Sequence, residues 1–204
     1  TPEDTLVIPH DCYGGSYRLF TNLAYKKQAF KLIIVNFQQA DWVSQLQGAT
    51  PRMIWLETPS NPLLQITDIA GVCQRAQQFG ALVVVDNTFL SPVLQQPLAL
   101  GADIVVHSTT KFINGHSDII GGAVIAKQQS VADELKWWGN CLGLTAGALD
   151  SYLTLRGLRT LPLRLKAQQA NTAAVVDFLV KHPLIARVYY PGLVEHPGHQ
   201  IAKT

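Results

Sequence analysis

Lys111 closes the run Asp103-Ile104-Val105-Val106-His107-Ser108-Thr109-Thr110-Lys111, in which a short apolar stretch passes into hydroxyls and then an amine. A second apolar run, Ala81-Leu82-Val83-Val84-Val85-Asp86, ends on a carboxylate. Both read as buried strands, and strand ends in open parallel sheets are where ligands bind. An amine can condense with a carbonyl, a carboxylate can hold the proton of a pyridine nitrogen, and hydroxyls can bind phosphate. These are the demands that pyridoxal phosphate makes of a protein, with an aromatic ring as a stacking partner. Taken singly, each residue has a plainer reading. A lysine after a strand is usually a solvated surface group, and an aspartate there can simply cap a turn. Tyr13 alone could pack in a core. Their joint occurrence in this order is what points to the cofactor.

The elements that must position these groups alternate along the chain. Leu6-Val7-Ile8, Leu32-Ile33-Ile34-Val35, Met53-Ile54-Trp55-Leu56, Leu82-Val83-Val84-Val85 and Ile104-Val105-Val106 read as strands. A Gly-interrupted strand follows at Ile119-Ile120-Gly121-Gly122-Ala123-Val124-Ile125. Helical segments are expected at residues 17–28 and 42–47, and from a cap at Asp68 to a stop at Gly80. Such alternation predicts βαβ units: an α/β fold with a mainly parallel sheet and helices on both faces. From about Asp133 the pattern changes to long helices, with residues 163–181 as one amphipathic stretch. Residues 184–190 then read as a strand and Pro191-Gly192 as a turn.

Composition narrows the function classes. The chain has 204 residues, 48% hydrophobic and 15% charged, which suits one sizeable core or slightly more than one domain. A net charge of +2 without a basic cluster argues against nucleic-acid binding. The longest apolar runs are too short to span a bilayer, and no signal-peptide pattern opens the chain, so a membrane role is not expected. The three cysteines, Cys12, Cys73 and Cys141, are scattered and odd in number, as expected of free thiols in a reducing, cytoplasmic setting. A catalytic cysteine is the less favoured alternative. His107 and His116 are expected to pack and hydrogen-bond, and Glu195-His196-Pro197-Gly198-His199 reads as a turn, so no metal site is expected. The paired glycines do not form the G-x-G-x-x-G fingerprint of dinucleotide binding.

Four ordered motifs carry a resemblance that covers the whole chain. They are Pro9-His10-Asp11-Cys12-Tyr13-Gly14-Gly15-Ser16-Tyr17-Arg18-Leu19-Phe20, Thr58-Pro59-Ser60-Asn61-Pro62, Val84-Val85-Asp86-Asn87-Thr88-Phe89 and His107-Ser108-Thr109-Thr110-Lys111-Phe112-Ile113-Asn114-Gly115-His116-Ser117-Asp118. Together they resemble the Cys/Met-metabolism family of pyridoxal-phosphate enzymes. Asp150-Ser151-Tyr152-Leu153, Leu155-Arg156-Gly157-Leu158-Arg159-Thr160-Leu161 and Trp137-Trp138 place the likeness nearest to its bacterial members that form cystathionine.

The resemblance implies the large domain of fold-type I pyridoxal-phosphate transferases, which is aspartate aminotransferase-like. It divides the chain into residues 1–160, the cofactor-binding domain, and 161–204, a long helix and the start of a smaller C-terminal domain. It implies pyridoxal 5'-phosphate as cofactor, with Lys111 as the Schiff-base lysine and proton shuttle. Asp86 would pair with the pyridine nitrogen, and Tyr13 would stack on the ring and assist proton transfer. Ser108 and Thr110 would hold phosphate, and Asn61 would lie near the ring hydroxyl. Arg18 has two readings, a contact to the distal carboxylate of a succinyl-bearing substrate or a structural ion pair.

The implied reaction is γ-replacement on an O-acylhomoserine, the succinyl ester first, by cysteine to give cystathionine in methionine biosynthesis. Cystathionine γ- or β-cleavage and homoserine sulfhydrylation use the same residues, and a truncated, non-catalytic module is the reading from another class. The implied partners are small amino-acid substrates and further copies of the enzyme, in a homotetramer built from dimers. Members of the family also carry an N-terminal arm with a Gly-rich phosphate-binding turn, and a C-terminal domain with an arginine for the substrate α-carboxylate. The chain is therefore expected to be about half of such an enzyme.

Overall fold

The computed structural model describes residues 1–203. Six strands form one sheet: β1 (Thr5–Pro9), β2 (Lys31–Val35), β3 (Met53–Glu57), β4 (Leu82–Asp86), β5 (Ile104–Ser108) and β6 (Gly122–Ala126). Their order is β2-β1-β3-β4-β5-β6. The first five run parallel, and β6 returns antiparallel beside β5. The expected mainly parallel α/β sheet is therefore present, with an antiparallel strand at one edge.

Side chains alternate across a sheet, so register decides which residues share a face. Ile54, Val83, Val85 and Val7 point to one face, where they join the main core with Leu56, Val35 and Phe37. Helix α2 (Ile69–Gln77) covers that face through Ile69, Val72, Cys73 and Ala76, a stripe one helical turn apart. Each large apolar side chain so buried contributes roughly 1.5–3 kcal/mol. Asp68 starts α2 as expected, accepting the Gly71 N–H at 3.0 Å, and Gly80 follows its end at φ +65°. The opposite face receives Glu57, Asp86 and Ser108, because Glu57 pairs with Asp86 and Asp86 with Val106.

Elsewhere the expectations need correction. The helix expected at 17–28 starts earlier, as α1 (Gly14–Thr21), and loosens into a π-helical turn at Asn22–Lys26. The segment expected at 42–47 is a 3-10 turn, Trp42–Leu46, whose Trp42 and Leu46 reach the main core. After the short α3 (Ser91–Leu94) and the 13-residue α4 (Gln129–Cys141), the long helix α5 covers Ala148–Val180. It begins fifteen residues before the expected start, carries Pro162 within it and crosses residue 160 without a break. Residues 184–190 form no strand: their β-prone side chains find no neighbouring strand among the described residues, and Leu184 is 85% exposed. Pro191-Gly192 lies in a turn, and α6 (His199–Ala202) follows. No helix among the described residues is long and apolar enough to cross a membrane.

Candidate active site

The C-terminal ends of β3, β4 and β5 bring the site together. Asp86 is the last residue of β4, and its Oδ1 accepts the Thr88 N–H at 3.0 Å. Thr88 turns back to the next strand, where its Oγ1 accepts the Ser108 N–H at 2.7 Å. Ser108 O in turn accepts the Lys111 N–H at 3.3 Å, in the turn that leaves β5. Asp86, Thr88, Ser108 and Lys111 are thus tied in one short chain of bonds. On the other side of Asp86 stands Glu57, in register on β3. Glu57 Oε2 accepts the main-chain N–H of Tyr13 at 2.6 Å, which draws the start of α1 to the same edge.

The Lys111 turn is clamped from behind by α5. Arg164 donates to Phe112 O at 2.8 Å, Ile113 O at 3.2 Å and Gly157 O at 2.9 Å, so one guanidinium joins the turn to the helix. Ile113, Leu161 and Leu165 form a small apolar cluster beneath it, with Phe112 against its edge. Gly157 lets the two backbones meet, since a Cβ there would stand 2.7 Å from Ile113 O. Lys111 itself is exposed.

Electrostatics at this edge are dominated by carboxylates. Burial pushes the Glu57 carboxyl up to about 7, against the Tyr13 N–H bond and with help from the charges of Asp86 and Asp11. Asp11 Oδ2 is buried with no hydrogen-bond partner among the described residues. Burial and then the charges of Glu57 and Asp11 push the Cys12 thiol up to about 11, and burial does the same to Cys73. Neither is therefore a ready nucleophile. Burial lowers His107 below its ordinary value although Asp86 pulls the other way.

Among the residues singled out from sequence, Asp86, Ser108, Lys111 and Tyr13 are connected as described. Thr110 Oγ1 accepts the Gly121 N–H at 3.0 Å, which ties it to the segment entering β6. Asn61 is exposed in the turn after β3, beside Ser60, and no bond links it to the others. Arg18 lies on α1, exposed, and takes part in none of the ion pairs among the described residues. His107 is buried on the opposite sheet face, and His116 Nδ1 lies 2.7 Å from Asn114 O. In the tail, Gly198 N donates to His196 Nδ1 at 3.0 Å and His199 Nδ1 lies 2.9 Å from Pro191 O, so both rings serve the local turn. Among the described residues no cluster of His, Cys, Asp and Glu is arranged to hold a metal.

Sequence reasoning missed Glu57, Thr88 and Arg164. Glu57 had a signal, because it ends an apolar run as Asp86 does. Thr88 and Arg164 had none: their roles depend on partners 20 and about 50 residues away.

An amine, a carboxylate on the neighbouring strand end, strand-end hydroxyls and a 59% exposed tyrosine ring form a donor set that fits pyridoxal phosphate. The fold and these donors define the large-domain scaffold of fold-type I pyridoxal-phosphate enzymes. The family described as Cys/Met metabolism PLP-dependent enzyme matches residues 1–204, and the chain belongs to it. It is 52% identical over 201 residues to cystathionine gamma-synthase of Escherichia coli (strain K12), covering 98% of this chain and 52% of that protein. It is 45% identical over 203 residues to cystathionine beta-lyase of Coxiella burnetii, covering 99% of this chain and 52% of the relative. The crystal structure of cystathionine gamma synthase from Xanthomonas oryzae pv. oryzae in complex with cystathionine superposes with a TM-score of 0.97 at 53% identity. That match covers 100% of this chain and 52% of the other. The chain thus spans about half the length of the relatives it matches.

Proposed function

We propose that the protein carrying this chain catalyses γ-replacement: an O-acylhomoserine, with succinyl as the first acyl group to test, reacts with cysteine to give cystathionine and the free acid. The observation that carries this reading is the bonded chain from Asp86 through Thr88 and Ser108 to Lys111, with Tyr13 drawn to the same edge. The likeness to the two cystathionine γ-synthases, above 50% identity in each, supports the synthase over the other reactions of the family.

Pyridoxal phosphate, when bound, supplies the electron sink that makes protons next to an amino-acid nitrogen removable. Lys111 Nζ would hold its aldehyde carbon, Asp86 its pyridine nitrogen, Ser108 and Thr110 its phosphate, and Asn61 its ring hydroxyl. The Tyr13 ring would cover its face. Lys111 Nζ would take the α-proton and move protons at the neighbouring carbons, returning them once the new bond is made. Tyr13 Oη assists that transfer. The γ C–O bond breaks with its electron pair leaving on the carboxylate, a C–S bond forms to cysteine, and the thiol proton passes to the released acid or to solvent. Arg18, on α1 after Tyr13, is the candidate to meet the distal carboxylate of a succinyl group. The exposed Trp137, Trp138, Leu142 and Tyr152 on and around α4 and α5 suit burial against further protein, in keeping with a homotetramer of dimers. The three free cysteines suit a reducing cytoplasm.

The test is a substrate panel on the purified protein. Cystathionine formed from O-succinylhomoserine and cysteine is the expected result. Cleavage of cystathionine without its synthesis would replace this reading with a lyase, the activity in the name of the Coxiella relative.

A further inference from the structure

Tyr13 is held at two points that its role in the proposed reaction does not require. Its main-chain N–H donates to Glu57 Oε2 at 2.6 Å, and its ring lies over Gly15, where a Cβ would come within 2.5 Å of Cε1. No side chain caps the N-terminus of α1, which starts at the next residue, so Glu57 is the group that ties this end of the helix to the sheet. Glu57 stands in register beside Asp86. We propose that Glu57 is a positioning residue: its carboxylate anchors the Tyr13 backbone to the end of β3 and so sets where the phenol ring stands relative to Asp86. This inference rests on the proposed function for its purpose, but the anchor itself is a property of the chain.

The anchor is charge-assisted, and such bonds are about twice as strong as neutral ones. Its charge is contested locally. Asp86 on β4 and Asp11 on the loop after β1 both disfavour the ionised form, and Cys12 faces it from that same loop. With the Glu57 carboxyl pushed up to about 7, the hold on Tyr13 tightens as pH rises through neutrality. A glutamate titrating at its ordinary value would show this dependence near 4.5, well below neutrality.

Tyrosine-selective 15N labelling follows the Tyr13 amide among the six tyrosines, without the cofactor. The expected result is an amide shift that titrates with a midpoint near 7 and becomes flat in Glu57→Gln. Amide exchange at one fixed pH above 7 should quicken by about tenfold in Glu57→Ala and by clearly less in Glu57→Gln, which keeps an oxygen but not the charge. In the loaded enzyme, the limb of the turnover profile near neutral pH should disappear in Glu57→Gln. A flat wild-type amide shift, or unchanged exchange in Glu57→Ala, would overturn the proposal. Borohydride trapping of a pyridoxyl group on Lys111 reports the cofactor reading separately. A titrating amide without trapping removes the cofactor reading and leaves the anchor, whereas trapping with a flat amide removes the anchor alone.

Discussion

Replacing Gly157 by alanine tests how the Lys111 turn is held. On an exposed helix surface, Gly→Ala stabilises by about 1 kcal/mol, because the unfolded chain loses freedom and the helix gains propensity. At Gly157 the new methyl would press on Asn114 O and stand 2.7 Å from Ile113 O and 2.8 Å from Asn114 Cα. All three are backbone atoms, so no rotamer change relieves the contact. Restoring ordinary separation means moving the turn away from α5 by roughly 1 Å. Overpacking of this kind costs about 1–3 kcal/mol, and the movement also stretches the Arg164 bonds to Phe112 O and Ile113 O. Bonds to a charged donor are each worth about 1.5–3 kcal/mol. Against the helix gain, the net expectation for Gly157→Ala is a loss of about 2–4 kcal/mol. Gly139 on α4 is the internal control, because a Cβ there meets nothing within 4 Å. Urea denaturation of both variants should show opposite signs, with Gly139→Ala gaining up to about 1 kcal/mol. If Gly157→Ala is as stable as the wild type, the close approach of α5 to the turn is not what holds Lys111.

Three further outcomes are expected. Lys111→Ala should abolish both the borohydride-trapped adduct and turnover, yet change stability by less than about 0.5 kcal/mol, because the side chain is exposed; mass mapping and denaturation read the two effects. Thr88→Val removes the acceptor for the Ser108 N–H, so it should destabilise by about 1–3 kcal/mol and weaken cofactor binding in an absorbance titration. Glu57 titrates at about 7 in the fold against an ordinary 4.5, so between those values the folded state keeps a proton the unfolded state has lost. Stability therefore falls as pH rises through that window. The ceiling is about 3 kcal/mol, reduced by solvent screening at a partly exposed group, so Glu57→Gln should be more stable by about 1–2 kcal/mol near pH 8 and no more stable near pH 4.

Much of the site was legible because it lies where local patterns end. Asp86 and Lys111 stand out as polar groups closing runs of Val and Ile, and such runs are strands for reasons of side-chain shape and burial. Asp68 and Gly80 mark a helix through capping and backbone freedom, which are local as well. Glu57 escaped because the apolar run that marks the strand stops at Leu56, one residue short of the carboxylate on which the strand ends. The start of α5 escaped because residues 148–162 are broken by Gly157 and Pro162, both poor helix formers in isolation.

By itself the sequence determined the class of fold, the six strands of the sheet and α2, and which amine, carboxylate and hydroxyls stand at or just beyond the strand ends, since propensity, periodicity and capping act within a few residues. Only the tertiary structure decided that β6 runs antiparallel, that Glu57, Asp86 and Ser108 share one face, and that Arg164 and Gly157 brace the turn carrying Lys111. It also left residues 184–190 without a strand partner among the described residues. These outcomes depend on register and on contacts between segments far apart in the chain, where a shift of one residue would turn every side chain to the other face.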